Sequence, residues 1–256
     1  MDSISIMGVR INNVTMEEVL ARIEQKLERE EKYIIYTPNT EIIMMCQDDD
    51  EFLNYMNQSD INVPDGIGLV YASKIKNAPL KEKVAGFDLS MNLLDIAEKK
   101  GLKLYAVGGK PGVAEAALTN VHKKYPNIKI VGSHHGYFKG AHLGHNGHEE
   151  ELAVIEEINA EKPDILFVGF GAKKQEQWIQ YNKNKVNAKI IIGNGGTIDV
   201  LAGNVKRAPE FYVNLGLEWL YRLAKEPKRI SRQIVLPIFM VKVLFGGKDV
   251  VKKISQ

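Results

Sequence analysis

Residues 33–43 read YIIYTPNTEII: four β-branched or aromatic residues, a break at Thr37-Pro38-Asn39, then a polar-to-apolar restart with the look of a helix. A strand that ends in a polar loop and opens into a helix is the building unit of an α/β protein with a largely parallel sheet. The unit recurs to about residue 200, with strands expected at 33–36, 61–63, 102–107, 128–131, 165–170 and 189–192. Helical signals alternate with them. Thr15-Met16-Glu17-Glu18 fits a capping box opening a helix over 16–30, and Pro111 suits the first turn of a helix ending near Tyr125-Pro126. The run GAHLGHNGH at 140–148 lacks periodicity and reads as an exposed loop before a helix at 149–160.

Four strand ends carry loops rich in Gly, Asn or Asp: Thr37-Pro38-Asn39, Pro64-Asp65-Gly66, Gly108-Gly109-Lys110-Pro111-Gly112 and Gly193-Asn194-Gly195-Gly196. Open α/β sheets bind ligands outside the carboxyl ends of their strands, so these loops are the expected site. Beyond Gly203 the character changes. An aromatic-rich helix is expected over 209–223, a break at Lys225-Glu226-Pro227-Lys228-Arg229, and a further helix over 230–245. The division expected is a Rossmann-like core at 1–203 and a helical, basic appendage at 204–256.

The 256 residues are enough for a sizeable core, and the one cysteine, Cys46, sits in an apolar run as a packed thiol of a reducing compartment would. The start of the chain lacks the pattern of a secretory signal, and no apolar run reaches the length of a spanning helix. A cytoplasmic protein is the expectation. The net charge of +2 hides a polarity: residues 203–256 hold eleven Lys and Arg against four acids, about +7, which leaves about −5 for the rest. Only the tail should seek phosphates or anionic lipid. Within it, LPIFMVKVLF at 236–245 reads either as a core helix or as an interfacial anchor flanked by lysines.

Group transfer from a nucleotide donor needs a base beside the acceptor hydroxyl and a cation or dipole for the departing diphosphate. Asp65, between a short apolar strand and a helix, is the candidate base, with an N-cap as its structural alternative. Thr37 and Asn39 put a hydroxyl and an amide on the same rim, and helix capping alone could account for Thr37. Gly108 to Gly112 has the look of a phosphate cradle without GxGxxG or Walker spacing. Arg222, Arg229 and Arg232 flank the expected helix break and could clamp a diphosphate or form a membrane-facing stripe. Metal ligation is poorly supported: Asp48-Asp49-Asp50 reads as a solvated turn, and the histidines at 134, 135, 142, 145 and 148 lack the spacing of a zinc site.

Taken together, TPNTE at 37–41, VPDGIGLVYASK at 63–74, VAGFDL at 84–89, VGGKPGVAE at 107–115, HHGYF at 134–138, PDILFVGFGAKKQEQWI at 163–179, GGTIDVLAGNVKRAP at 195–209 and LGLEWLYRLAKEPKRISRQ at 215–233 resemble the WecG/TagA/CpsF glycosyltransferases in order and spacing. The resemblance covers most of the chain. It implies an inverting, metal-independent transferase with no cofactor. Such an enzyme moves N-acetylmannosamine from UDP-N-acetylmannosamine to the 4-hydroxyl of N-acetylglucosamine on undecaprenyl diphosphate, a β-1,4 linkage, in wall teichoic acid or related surface-polysaccharide synthesis. It implies Asp65 as base, Thr37 and Asn39 as substrate-positioning groups, and Gln175 as a substrate contact. Gly108, Gly109, Gly195, Gly196 and Asp199 would line the pocket, and Arg222, Arg229 and Arg232 would cover the diphosphate. Phe87 and Asn194 depart from the pattern, and the 140–148 loop looks inserted and clear of the core motifs. Peripheral attachment to the inner face of the plasma membrane through anionic lipid follows from the same reading; nucleic acid is not an expected partner, and homo-oligomerisation is left open. Two other classes fit fewer residues: an NAD-dependent sugar-nucleotide epimerase or oxidoreductase using the Gly108 loop, and a non-catalytic membrane or nucleic-acid binding module using the tail.

Overall fold

The computed structural model describes residues 1–214, 217–225, 234–247 and 249–254. It opens with a hairpin of β1 (Ser3–Ile6) and β2 (Val9–Asn12), followed by α1 (Met16–Glu28), β3 (Tyr33–Tyr36), α2 (Thr40–Met45), α3 (Asp50–Asn57), β4 (Ile61–Asn62) and α4 (Ile67–Ile75). Next come α5 (Gly86–Lys100), β5 (Lys103–Gly108), α6 (Val113–Lys124), β6 (Lys129–His134), α7 (Glu149–Glu161), β7 (Ile165–Gly169), α8 (Lys174–Asn182), β8 (Ile190–Gly193) and α9 (Gly195–Leu201). The chain ends with α10 (Glu210–Asn214), α11 (Glu218–Lys225), α12 (Val235–Phe245) and β9 (Val251–Ile254).

Six strands pair in parallel in the order β4-β3-β8-β7-β5-β6, the doubly wound α/β core the sequence pattern predicts. Because side chains alternate across a strand, each buried strand feeds two layers. In β7, Leu166 and Val168 enter the layer containing Ile42, Ile43 and Trp178, while Ile165 and Phe167 enter the layer containing Val19, Leu93 and Ile198. Adjacent strands β3 and β8 thus send their following helices, α2 and α9, to opposite faces. A crevice opens where such neighbours part.

Three elements differ from expectation. The hairpin was not foreseen: Met7 and Gly8 both have positive φ (48° and 88°), as a two-residue primed turn requires, and β9 joins β1 to complete a small antiparallel sheet. The expected helix at 209–223 is two short helices, on either side of residues 215–216. The 140–148 segment is not simply exposed: His142 is buried and stacks on Phe170 with ring centroids 4.3 Å apart. Glu151, also buried, accepts from the Ala141 and Gly147 amides, and His148 caps α7. This segment therefore touches the core motif at 163–179, because its histidine is roofed by aromatic rings.

The LPIFMVKVLF stretch is a core helix on one face only. Phe239 and Val243 are buried in the core, while Val241 and Phe245 are 54% and 85% exposed. With β9 paired to β1, two ties hold the end of the chain to its beginning across the expected boundary near 203. Cys46 is buried as expected, and burial pushes its thiol up to about 12.

Candidate active site

The loops after β3 and β4 are stitched edge to edge. Val63 donates to the Tyr36 carbonyl at 3.0 Å, Asp65 to the Pro38 carbonyl at 3.0 Å, and Val84 to the Pro64 carbonyl at 2.9 Å. These bonds bring Thr37, Asn39, Asp65 and Gly86 to one wall of a cavity of about 310 Å³. A Cβ on Gly86 would stand 3.1 Å from Thr37 Cβ, Cγ2 and Oγ1, so α5 starts directly against the Thr37 side chain. The structure also shows which residues cap the helices of this wall. Asn39, not Thr37, caps α2, accepting from Ile42 N at 3.1 Å. Asp65 is not an N-cap: Gly66, at φ +101°, holds that position without a side-chain bond, and Asp65 lines the cavity.

The second wall is the turn from β8 into α9. Gln175 at the start of α8 is buried and accepts from Gly195 N at 3.1 Å, while its Nε2 donates to Glu176 Oε1 at 2.8 Å. A Cβ on Gly195 would lie 3.0 Å from Gln175 Oε1 and 3.1 Å from Gly171 N, so a side chain here would press on both. Gly196 is unobstructed and lines the cavity. Glu176 lies wholly buried behind Gln175. Burial pushes its carboxyl up to about 7 against the opposing pull of the Gln175 hydrogen bond.

A third group completes the cavity: Lys83, Phe87 and Arg207 on one side, Glu218, Trp219 and Leu236 from the tail helices on another. Arg207 pairs with Asp88, and its guanidinium sits 4.5 Å from the Phe87 ring centroid. No sequence motif singled out Lys83, Arg207, Glu218 or Trp219. KRAP and LEWL carry the last three and were legible only as members of the long matching segments.

Other expected site residues lie elsewhere. Asp199 is on α9 but is not among the residues that line this cavity. Gly108 and Gly109 share the carboxyl edge of the sheet yet do not line this cavity. Their glycine character has a packing cause: a Cβ on Gly108, at φ +144°, would be 2.3 Å from the Gly169 carbonyl oxygen. The α11 backbone carries Arg222, whose side chain is outside the description, and Arg229 and Arg232 lie outside the described residues. Asp49 of the triple-Asp stretch caps α3, accepting from Phe52 N at 2.8 Å, and pairs with Lys173. Among the described residues no group of three His, Cys, Asp or Glu could hold a metal ion.

A carboxylate on a loop tied down by backbone bonds, a hydroxyl on the same wall and cations lining a strand-end crevice suit transfer of a group from a phosphate ester to a hydroxyl. The comparisons agree with that chemistry. Residues 4–250 match the family model described as Glycosyl transferase WecG/TagA/CpsF family. An N-acetylglucosaminyldiphosphoundecaprenol N-acetyl-beta-D-mannosaminyltransferase of Staphylococcus aureus strain MRSA252 is 34% identical over 97% of this chain and 95% of its own length. The protein of the same name from strain MW2 matches to the same extent. Matched along nearly its whole length, this chain belongs to the WecG/TagA/CpsF family of glycosyltransferases and is a hexosyl-transferring enzyme.

Proposed function

We propose that this enzyme moves N-acetylmannosamine from UDP-N-acetylmannosamine to the 4-hydroxyl of N-acetylglucosamine on undecaprenyl diphosphate, forming a β-1,4 linkage in wall teichoic acid or related surface-polysaccharide synthesis. The names of the relatives support the sugar and the acceptor. The observation that carries the reading is Asp65: it is not the cap of α4, its backbone N–H is bonded to the Thr37 loop, and it lines the cavity.

In this mechanism Asp65 accepts the proton of the acceptor hydroxyl as its oxygen attacks the anomeric carbon. The bond from that carbon to the β-phosphate oxygen breaks, and UDP leaves with the electron pair, inverting the configuration. Thr37 and Asn39 orient the reacting groups, and Gln175 with Gly195 and Gly196 forms the facing wall. Lys83 and Arg207 meet the diphosphate charge, joined by Arg222, Arg229 and Arg232 when the 204–256 segment closes over the donor; no metal ion is then needed. Closure at the membrane would limit loss of donor to water.

Peripheral attachment to the inner membrane face is part of the proposal. Ile238, Val241, Leu244 and Phe245 give α12 an exposed apolar face beside Lys242, and no described helix is long and apolar enough to cross a membrane. The test is UDP release from UDP-N-acetylmannosamine with a lipid-diphosphate N-acetylglucosamine analogue, with and without EDTA. Release that requires both substrates and ignores the chelator is expected. Release without acceptor would refute the transfer, and loss of turnover in EDTA would refute metal independence.

A further inference from the structure

Asn194 stands where β8 passes into α9. It lines the cavity, yet only 5% of its surface is exposed. Its amide orientation is fixed by two hydrogen bonds in series. Ser90 on α5 donates its hydroxyl hydrogen to the Gly86 carbonyl at 2.7 Å, which leaves Ser90 Oγ able only to accept. Asn194 Nδ2 donates to that oxygen at 3.1 Å. A reversed amide would set Oδ1 against an oxygen with no hydrogen to give, so the nitrogen stays toward Ser90. The Oδ1 that remains has no hydrogen-bond partner among the described residues.

A buried acceptor without a donor keeps the full cost of its desolvation, and a ligand that supplies the donor recovers that cost. Other deeply buried residues with an orphaned polar atom, namely Tyr33, His142, Glu176 and Trp178, do not line the cavity. Asn194 does both. Phosphate oxygens carry no hydrogen at neutral pH, so the diphosphate of a nucleotide sugar cannot be the partner. Ser90 and Gly86 connect Asn194 to the Thr37 wall, where the transferred sugar has to sit.

We propose that Asn194 is a specificity-determining residue whose Oδ1 accepts a hydrogen bond from the transferred hexosamine, through its acetamido N–H or a ring hydroxyl. The inference rests on the functional reading above and deepens it. A site built around an acceptor in this way discriminates strongly against sugars that leave it unpaired.

The test is calorimetric binding of UDP, UDP-N-acetylmannosamine and UDP-2-deoxyglucose, which lacks the 2-substituent, to the full chain and to Asn194→Ala and Ser90→Ala. Asn194→Ala should bind UDP as the wild type does and UDP-N-acetylmannosamine about tenfold more weakly, a loss of ~1.4 kcal/mol. Ser90→Ala, which keeps the amide but frees its orientation, should show a smaller loss in the same direction. A loss confined to the acetamido sugar assigns the N–H, and an equal loss for the 2-deoxy sugar assigns a ring hydroxyl; either supports the proposal. Unchanged affinity for UDP-N-acetylmannosamine, or an equal loss for UDP itself, overturns it. If Asn194→Ala does not fold, Ser90→Ala decides by the same two criteria. A wild-type protein that binds no UDP-sugar overturns the functional reading as well, so the two failures are distinguishable.

Discussion

The cavity has two unlike walls. On the core side, Thr37, Asp65, Gln175 and Gly195 sit at strand ends whose loops are hydrogen-bonded to one another, and substitution of Gly86 or Gly195 would drive side chains into neighbours about 3 Å away. On the tail side, Glu218, Trp219 and Leu236 come from α11 and α12, tethered through Phe239, Val243 and the β1–β9 pairing rather than through the sheet. The contrast teaches a division of labour. A base must hold its geometry to within a fraction of an ångström, so it belongs on the rigid wall. In the proposed mechanism the other wall admits the lipid-linked acceptor, and its α12 is held through Phe239, Val243 and the neighbouring β9 rather than by the strand-end loops.

The strongest test of this division is Asp65→Asn. It should lower turnover by about 10²- to 10⁴-fold, the usual contribution of a general base, while UDP affinity stays near that of the wild type. Turnover like that of the wild type would move the base elsewhere and dissolve the distinction between the walls. The tether can be tested within α12 by changing each of its two faces. Phe239→Ala, which empties a fully buried site, should destabilise the protein by about 3–5 kcal/mol in denaturant titration. Phe245→Ser, on the exposed face, should change stability by no more than about 0.5 kcal/mol and reduce binding to anionic phospholipid vesicles. If Phe239→Ala proved as harmless as Phe245→Ser, α12 would not be anchored in the core.

The core wall was more legible in the sequence than the tail wall, for a physical reason. Strands such as 165–169 are apolar on both faces, and their loops are punctuated by Pro, Asp and Gly at fixed places, so both the sheet and the Thr37 and Asp65 positions could be read locally. The β1 hairpin could not: its strands are four residues long, and the partner that completes their sheet lies at 251–254. Gly108 was visible as a special glycine, but the sequence cannot tell a glycine that admits a ligand from one that admits the neighbouring strand. Lys83 and Arg207 escaped for the opposite reason, and Asn194 was visible only as a member of its loop. Each is an ordinary residue that acquires meaning only from what folding sets beside it: the Asp88 and Phe87 pair for Arg207, the Ser90 hydroxyl for Asn194.

Glu176 shows what the rigid wall costs. Its carboxyl sits fully buried behind Gln175, with Tyr36 of β3 donating to its backbone carbonyl at 3.2 Å, and burial raises it from 4.5 to about 7. The unfolded chain releases this proton near its ordinary pKa, whereas the folded protein holds it until near neutrality. Between those values the unfolded state binds fewer protons, so the contribution of Glu176 to stability falls as pH rises from about 4.5 to 7 and is level above that. Glu176→Gln keeps an acceptor for Gln175 Nε2 and removes the titration. The variant should therefore melt higher than the wild type at pH 8, by ~3 kcal/mol at most, with the gap closing by pH 4.5. A gap that does not vary with pH would show that the carboxyl is charged throughout and that water reaches behind Gln175. The core wall would then be less sealed than its packing implies, and the contrast with the tail wall correspondingly weaker.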